Sequence, residues 1–137
     1  MLRQVLCRQV VSTTSVFIMS YSRLDRCRRA LHLAGKKVVG ASAGHRCPTA
    51  WTEAGELFIS GLGYEGKLGH GGTQNELVPR LVEAFSGKQV IGAALAVTTV
   101  VWTAVGELFT FGAGDFGQVG HSDGECDVLV PRLVEGL

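Results

Sequence analysis

The chain has 137 residues, 46% of them apolar, with 19 glycines and a formal charge of +1 at neutral pH. That length suits one ordinary domain or a few repeats. No uninterrupted stretch of about 18 apolar residues is available to cross a membrane as a helix, and the apolar content is too high for a disordered chain.

The charge is unevenly placed. Residues 1–34 hold six Arg and one acid, Asp25, for +5, whereas residues 35–137 hold seven Lys/Arg and eleven Asp/Glu, for −4. The later part therefore has no basic field for a phosphate backbone, and direct nucleic-acid binding is not expected from it. Residues 1–32 are basic, Ser/Thr-bearing and nearly acid-free. They read either as a poorly ordered leading segment or as a targeting peptide for mitochondria or plastids, and otherwise the cytoplasm or nucleus is expected. The stretch Val10–Met19 is too short and too polar for a signal anchor. Cys7, Cys27, Cys47 and Cys126 form no Cys-x-x-Cys pair, so neither a zinc site nor a disulfide framework is expected.

From about residue 33 onward the chain says nearly the same thing twice. Trp51-Thr-Glu-Ala-Gly-Glu-Leu-Phe returns as Trp102-Thr-Ala-Val-Gly-Glu-Leu-Phe, and Gly66-Lys-Leu-Gly-His70 returns as Gly117-Gln-Val-Gly-His121, at an offset of 51 without a gap. A fixed period of this size marks one supersecondary unit stacked on its copy. Within each unit Lys37–Ala41 and Gln89–Ala93 carry a strand signal, and so do Thr49–Thr52 and Val100–Thr103. Gly55 and Gly106 then suit a hairpin turn that closes on a left-handed residue. The returning strands, Glu56–Ser60 and Glu107–Phe111, are apolar on both faces, as a strand between two layers must be. Val78-Pro79-Arg80-Leu81 and Val130-Pro131-Arg132-Leu133 add a fourth strand, with Pro suited to an edge. Four strands per period, repeated radially, is the plan of a β-propeller.

These words together, including Gly-Lys-Lys-Val-Val-Gly-Ala at 35–41 and Leu-Val-Pro-Arg-Leu-Val at 77–82, resemble the regulator-of-chromosome-condensation repeat family. The resemblance covers residues 33–137 as two tandem repeats, about 33–84 and 85–137. It implies an all-β fold of four-stranded antiparallel blades, two blades of a seven-bladed type of propeller and hence an incomplete ring. Two departures stand out: Cys47-Pro48 and Thr98-Thr99 replace the His-Thr or His-Ser pair usual before the Trp-bearing strand, and Leu95 replaces a usual Gly. Two blades leave open faces, so the chain is expected to be part of a larger propeller, a decayed copy, or a piece that self-assembles to close a ring.

Function reads as a non-enzymatic repeat module that binds a protein partner. From the family come two alternatives: part of a guanine-nucleotide exchange factor for a Ran-type small GTPase, or the regulatory repeat portion of a HECT-type ubiquitin ligase. No catalytic, cofactor or metal residues are expected. Gly61–Gly66 and Gly112–Gly117 both read G-x-G-x-x-G, but Lys67–Gly72 cannot propagate the helix a dinucleotide fingerprint needs, so a structural loop is expected. His70 and His121 are expected to hydrogen-bond within that loop, Trp51 and Trp102 to pack blades, and Glu56 and Glu107 not to converge. His45, near Cys47, lacks further ligands. The repeats differ most in two loops: Tyr64-Glu65 becomes Asp115-Phe116, and residues 71–76, with Gln74 and Asn75, become 122–127, with Asp123 and Glu125. Variable loops on a fixed scaffold carry specificity, so these eight residues are the candidate partner-binding set.

Overall fold

The computed structural model describes residues 10–12, 15–17, 33, 35–44, 46–121 and 126–136. Strands β1 (Val10–Ser12) and β2 (Ser15–Phe17) pair as a small antiparallel hairpin. The remaining strands form two four-stranded antiparallel sheets, each in strict chain order. The first blade is β3 (Val38–Gly44), β4 (Cys47–Thr52), β5 (Leu57–Gly61) and β6 (Glu76–Leu81). The second is β7 (Val90–Leu95), β8 (Thr98–Thr103), β9 (Leu108–Gly112) and β10 (Val128–Leu133). The inner strands β3 and β7 lie side by side, and neither sheet closes on itself. The arrangement is that of two adjacent propeller blades.

Local chemistry accounts for the strand breaks. Gly55 and Gly106 take φ of +84° and +86° in the β4–β5 and β8–β9 turns, the left-handed geometry expected there. Strand β4 begins two residues before the Thr49–Thr52 signal, so it takes in Pro48. Pro48 sits inside the strand opposite Ala43. The loop after β5 makes only a single 3-10 turn, Tyr64–Gly66, so the G-x-G-x-x-G segment offers no extended helix N-terminus to a pyrophosphate.

Period-two alternation gives each blade two faces. On β5, Leu57 and Ile59 point toward the second blade and are fully buried, while Phe58 points away and is half-buried. On β8 and β9, Val101, Phe109 and Phe111 point back at the first blade. The main core is thus the seam between blades: Leu57, Ile59, Leu68 and Val82 from one side meet Phe85, Val90, Phe109 and Phe111 from the other. Phe85 and Phe109 meet edge to face, with ring centroids 5.2 Å apart, a geometry worth about 0.5–1.5 kcal/mol beyond area burial.

The tryptophans do a different job from simple core filling. Each lies across a glycine of the neighbouring strand, Trp51 over Gly40 and Trp102 over Gly92, at a β-bulge that recurs in both blades. A Cβ at Gly40 would stand 2.2 Å from the Trp51 ring, and one at Gly92 would stand 2.1 Å from the Trp102 ring. Trp51 packs on the seam, whereas Trp102 faces outward and is 38% exposed. Gly40→Ala should therefore destabilise by about 1–3 kcal/mol, since moving Trp51 aside disturbs its packing on the seam, while Gly92→Ala should cost less because Trp102 is more exposed; urea midpoints of the two variants check this.

Candidate partner-binding surface

Antiparallel strands in chain order send their connections alternately to opposite ends of the blades. One end carries the long loop 62–75, the described part of the loop between β9 and β10 (113–121 and 126–127), Arg46 between β3 and β4, and the short connection 96–97. The other carries the tight turns 53–56 and 104–107 and the linker 82–89. Every described candidate residue lies at the long-loop end: Tyr64, Glu65, Gln74 and Asn75 in the first loop, Asp115 and Phe116 in the second. Asp123 and Glu125 fall outside the described residues.

The long loops are fastened to their own stems in the same way in both repeats. Asn75 Oδ1 accepts the Gly63 amide at 3.0 Å, and Asp127 Oδ1 accepts the Gly114 amide at 3.3 Å. These contacts bring the two limbs so close that a Cβ at Gly63 or Gly114 would stand 1.9 Å from the Gln74 or Cys126 carbonyl oxygen. Asn75 thus closes the loop, a role that variation between repeats did not reveal. Gln74 and Asp115 are exposed, Tyr64 is at the margin of exposure, and Phe116 stands 90% exposed. Glu65 holds φ of +60°, a left-handed conformation that a non-glycine residue adopts at a cost of about 1–2 kcal/mol.

The first loop also reaches the second blade. The Gly71 amide donates to the Leu129 carbonyl at 3.0 Å, and Thr99 Oγ1 donates to the Lys67 carbonyl at 2.7 Å. Lys67 is fully buried; its ammonium lies 3.9 Å above the Tyr64 ring, and it neighbours the Cys47 thiol. Burial pushes the Cys47 thiol above its ordinary range, against the opposing pull of Lys67, and Cys47 Sγ donates to the Leu62 carbonyl at 3.1 Å. A thiol so enclosed and held in its neutral form is a packing group, not a nucleophile. In the second repeat Thr98 and Gln118 stand in place of Cys47 and Lys67, so this buried polar cluster is particular to the first repeat.

The two loop histidines part company. His121 Nε2 lies 3.0 Å from Thr110 Oγ1. Because the Thr110 hydroxyl donates to the Val119 carbonyl, the imidazole N–H is the donor to Thr110. In the first repeat the hydroxyl is missing, since Ile59 holds that position, and His70 Nε2 is buried with no hydrogen-bond partner. Beside it is a hollow of about 150 Å3, walled in part by Arg80, Glu83 and Val130. His121 thus bonds out of its loop to Thr110 on β9, whereas this nitrogen of His70 has no partner. Burial holds the His70 pKa below its ordinary value, opposed by a contact to the Ile59 backbone, with Arg80 adding to the depression.

At the turn end, Glu56 and Glu107 do not converge. Lys36 pairs with Glu56 at 2.8 Å, and Lys88 pairs with Glu107 at 3.0 Å, at equivalent points of the repeats. A hollow of about 340 Å3 lies here between turn and linker, bounded by Gly55, Phe85 and Gln89. Among the described residues no group of three His, Cys, Asp or Glu is placed to hold a metal ion.

With the blades, their seam and the paired loops in view, the family model for the regulator of chromosome condensation repeat matches residues 54–101 and 105–137. The chain belongs to the regulator of chromosome condensation (RCC1) repeat family. The matched segment 54–101 takes β5 and β6 of one blade together with β7 and most of β8 of the next, so the family's repeat frame bridges the seam. Human E3 ubiquitin-protein ligase HERC2 is 41% identical over 107 residues, which is 77% of this chain and 2% of HERC2. Among solved structures, human WBSCR16 aligns with a TM-score of 0.74 at 20% identity, over 89% of this chain and 35% of that one. Prp20p of Saccharomyces cerevisiae aligns with a TM-score of 0.70 at 18% identity, over 79% and 28%. These structural likenesses carry the fold.

The hydrogen bond that His121 makes and His70 lacks yields a test. Thr110→Ile should strip His121 of its partner and cost about 1–3 kcal/mol, whereas His70→Leu should be neutral or stabilising because it removes an unpaired buried nitrogen. The depressed pKa of His70 means that the unfolded chain takes up more protons below the ordinary histidine value of about 6.5. Stability should therefore fall as pH drops from neutral through the folded-state pKa, and denaturant midpoints should show His70→Leu losing that part of the slope.

Proposed function

We propose that this chain is a non-enzymatic RCC1-type propeller segment that binds a protein partner through its long-loop end. The observation that carries the reading is the pairing of rigid stems with exposed tips. Asn75 and Asp127 pin the loop bases, while Phe116 projects into solvent at 90% exposure and Tyr64 is partly exposed. An aromatic side chain held in water by a fixed scaffold is the type of group that anchors protein interfaces. Glu65, kept in a conformation that glycine would adopt more cheaply, supports the same surface, because strain of this kind concentrates at functional positions.

The likeness to HERC2 favours, as a second reading, a repeat segment that regulates a larger ubiquitin ligase. The exchange-factor alternative draws on Prp20p, whose structure was described with its binding properties to Gsp1p and histones; that likeness supports it through the fold.

Site-specific photo-crosslinking tests the proposal. A photoreactive phenylalanine at Tyr64 or Phe116 should capture a protein from an extract that the same probe at Val105, exposed at the turn end, does not. Equal capture at all three positions would count against a loop-end site. Acceleration of labelled-GDP release from a Ran-type GTPase would replace the scaffold reading with exchange activity. Phe116→Ser should lower affinity for the captured partner by roughly tenfold or more with stability unchanged to within about 0.5 kcal/mol. Glu65→Gly should raise stability by about 1 kcal/mol while weakening the same partner.

A further inference from the structure

His70 stands where the first long loop grips the second blade. Gly69 lies so close to the Phe111 ring that a Cβ there would stand 2.7 Å from it, and the Gly71 amide donates to the Leu129 carbonyl at 3.0 Å. Between these two contacts the imidazole Nε2 is buried with no hydrogen-bond partner. Both flanking glycines are left-handed, at φ of +70° and +88°, and glycine leaves such a conformation more freely than a residue with a side chain. The hollow of about 150 Å3 beside the ring is walled by Arg80 and Leu81 at the end of β6, Glu83 and Ala84 of the linker, and Val130 of β10. Both blades that wall it belong to this chain, so its shape does not depend on what packs outside them.

Protonation is the event this arrangement opposes. A neutral ring tolerates an unpaired nitrogen, whereas an imidazolium N–H buried without an acceptor carries a charge that nothing compensates. The charged groups acting on the ring are Arg80, which opposes protonation, and Glu76 and Glu83, which favour it. Glu76 is engaged by Arg80 at 2.6 Å, which leaves Glu83, on the wall of the hollow, as the carboxylate placed to receive a charged ring. From β5 the ring meets the Ile59 backbone, and the remaining walls, Leu81, Ala84 and Val130, carry no charge. His121 has no such conflict, because Thr110 accepts from it.

We propose that His70 is an acid-sensitive latch: once protonated, its ring turns out of the core into the hollow toward Glu83, and the Gly71 amide leaves Leu129, loosening the first loop from the second blade. The flanking glycines supply the motion and the hollow supplies the room. Burial, which holds the His70 pKa below its ordinary value, sets the direction: the latch is shut at neutral pH and opens as pH falls. With the ring free in the open state, near the ordinary value of about 6.5, each pH unit between that value and the folded-state pKa raises the open population by up to about tenfold. The latch belongs to the loop base and involves no partner at the tip, so it stands or falls apart from the partner-binding reading.

Amide hydrogen exchange followed by NMR on residues 1–137, from about pH 7.5 to about pH 5 so as to span the ordinary histidine value, tests it. After correction for intrinsic rates, protection of the Gly71 amide should fall by up to about tenfold per pH unit. The Val90 amide, which donates to the Gly55 carbonyl at the turn end of the same seam, should hold its protection. His70→Leu should keep Gly71 equally protected at every pH. Should that variant lose its β-sheet circular dichroism, Ile59→Thr serves instead, since it supplies the hydroxyl that Thr110 gives His121 and should flatten the same dependence. Wild-type Gly71 protection that does not change with pH overturns the proposal. So does a fall shared equally by Val90, which is global unfolding, or a fall that persists in the variant.

Discussion

A middle strand that is apolar on both sides is the constraint from which this molecule follows. β5 carries Leu57 and Ile59 on one face and Phe58 on the other, and β9 repeats the arrangement with Phe109 and Phe111 turned inward. Such a strand is stable only between two layers, because each apolar square ångström left in water forgoes about 25 cal/mol. A four-stranded sheet cannot supply its own second layer, so blade must pack on blade. The seam satisfies this once: Phe85 from the linker wedges beside Phe109 and Phe111, and Leu68 from the long loop closes the far side.

The loops owe their order to that seam. Loop 62–75 is tied to its own stem by Asn75 and to the next blade by Gly71 and Lys67. The outward tips are thus carried by backbone fixed at several points, which lowers the ordering cost of binding. Fold and proposed function meet here, in a packing requirement that leaves a few side chains rigidly presented.

The first repeat also tolerates chemistry that the second avoids. Lys67 is buried over Tyr64 beside Cys47, and His70 has an orphaned nitrogen where His121 has Thr110. Buried polar groups of this kind add little stability, and in some systems they select one packing arrangement over its alternatives.

The sequence by itself determined the architecture. The 51-residue repeat, the two-faced strands and the paired turn glycines gave four antiparallel strands per unit, because alternation and turn geometry are local properties that neighbouring residues dictate. It also placed Tyr64, Glu65, Asp115 and Phe116 in loops. Only the tertiary structure decided which equivalent residues are buried. Trp51 and Trp102 stand in nearly the same local words, yet one packs on the seam and the other faces solvent, since burial depends on what lies across the sheet. The unpaired nitrogen of His70 follows from Ile59, eleven residues away, and Asn75 proves to be a loop clasp through its contact with Gly63, twelve residues away. Hydrogen bonds and layers join residues that are distant in the chain, and neither period nor composition records which ones meet.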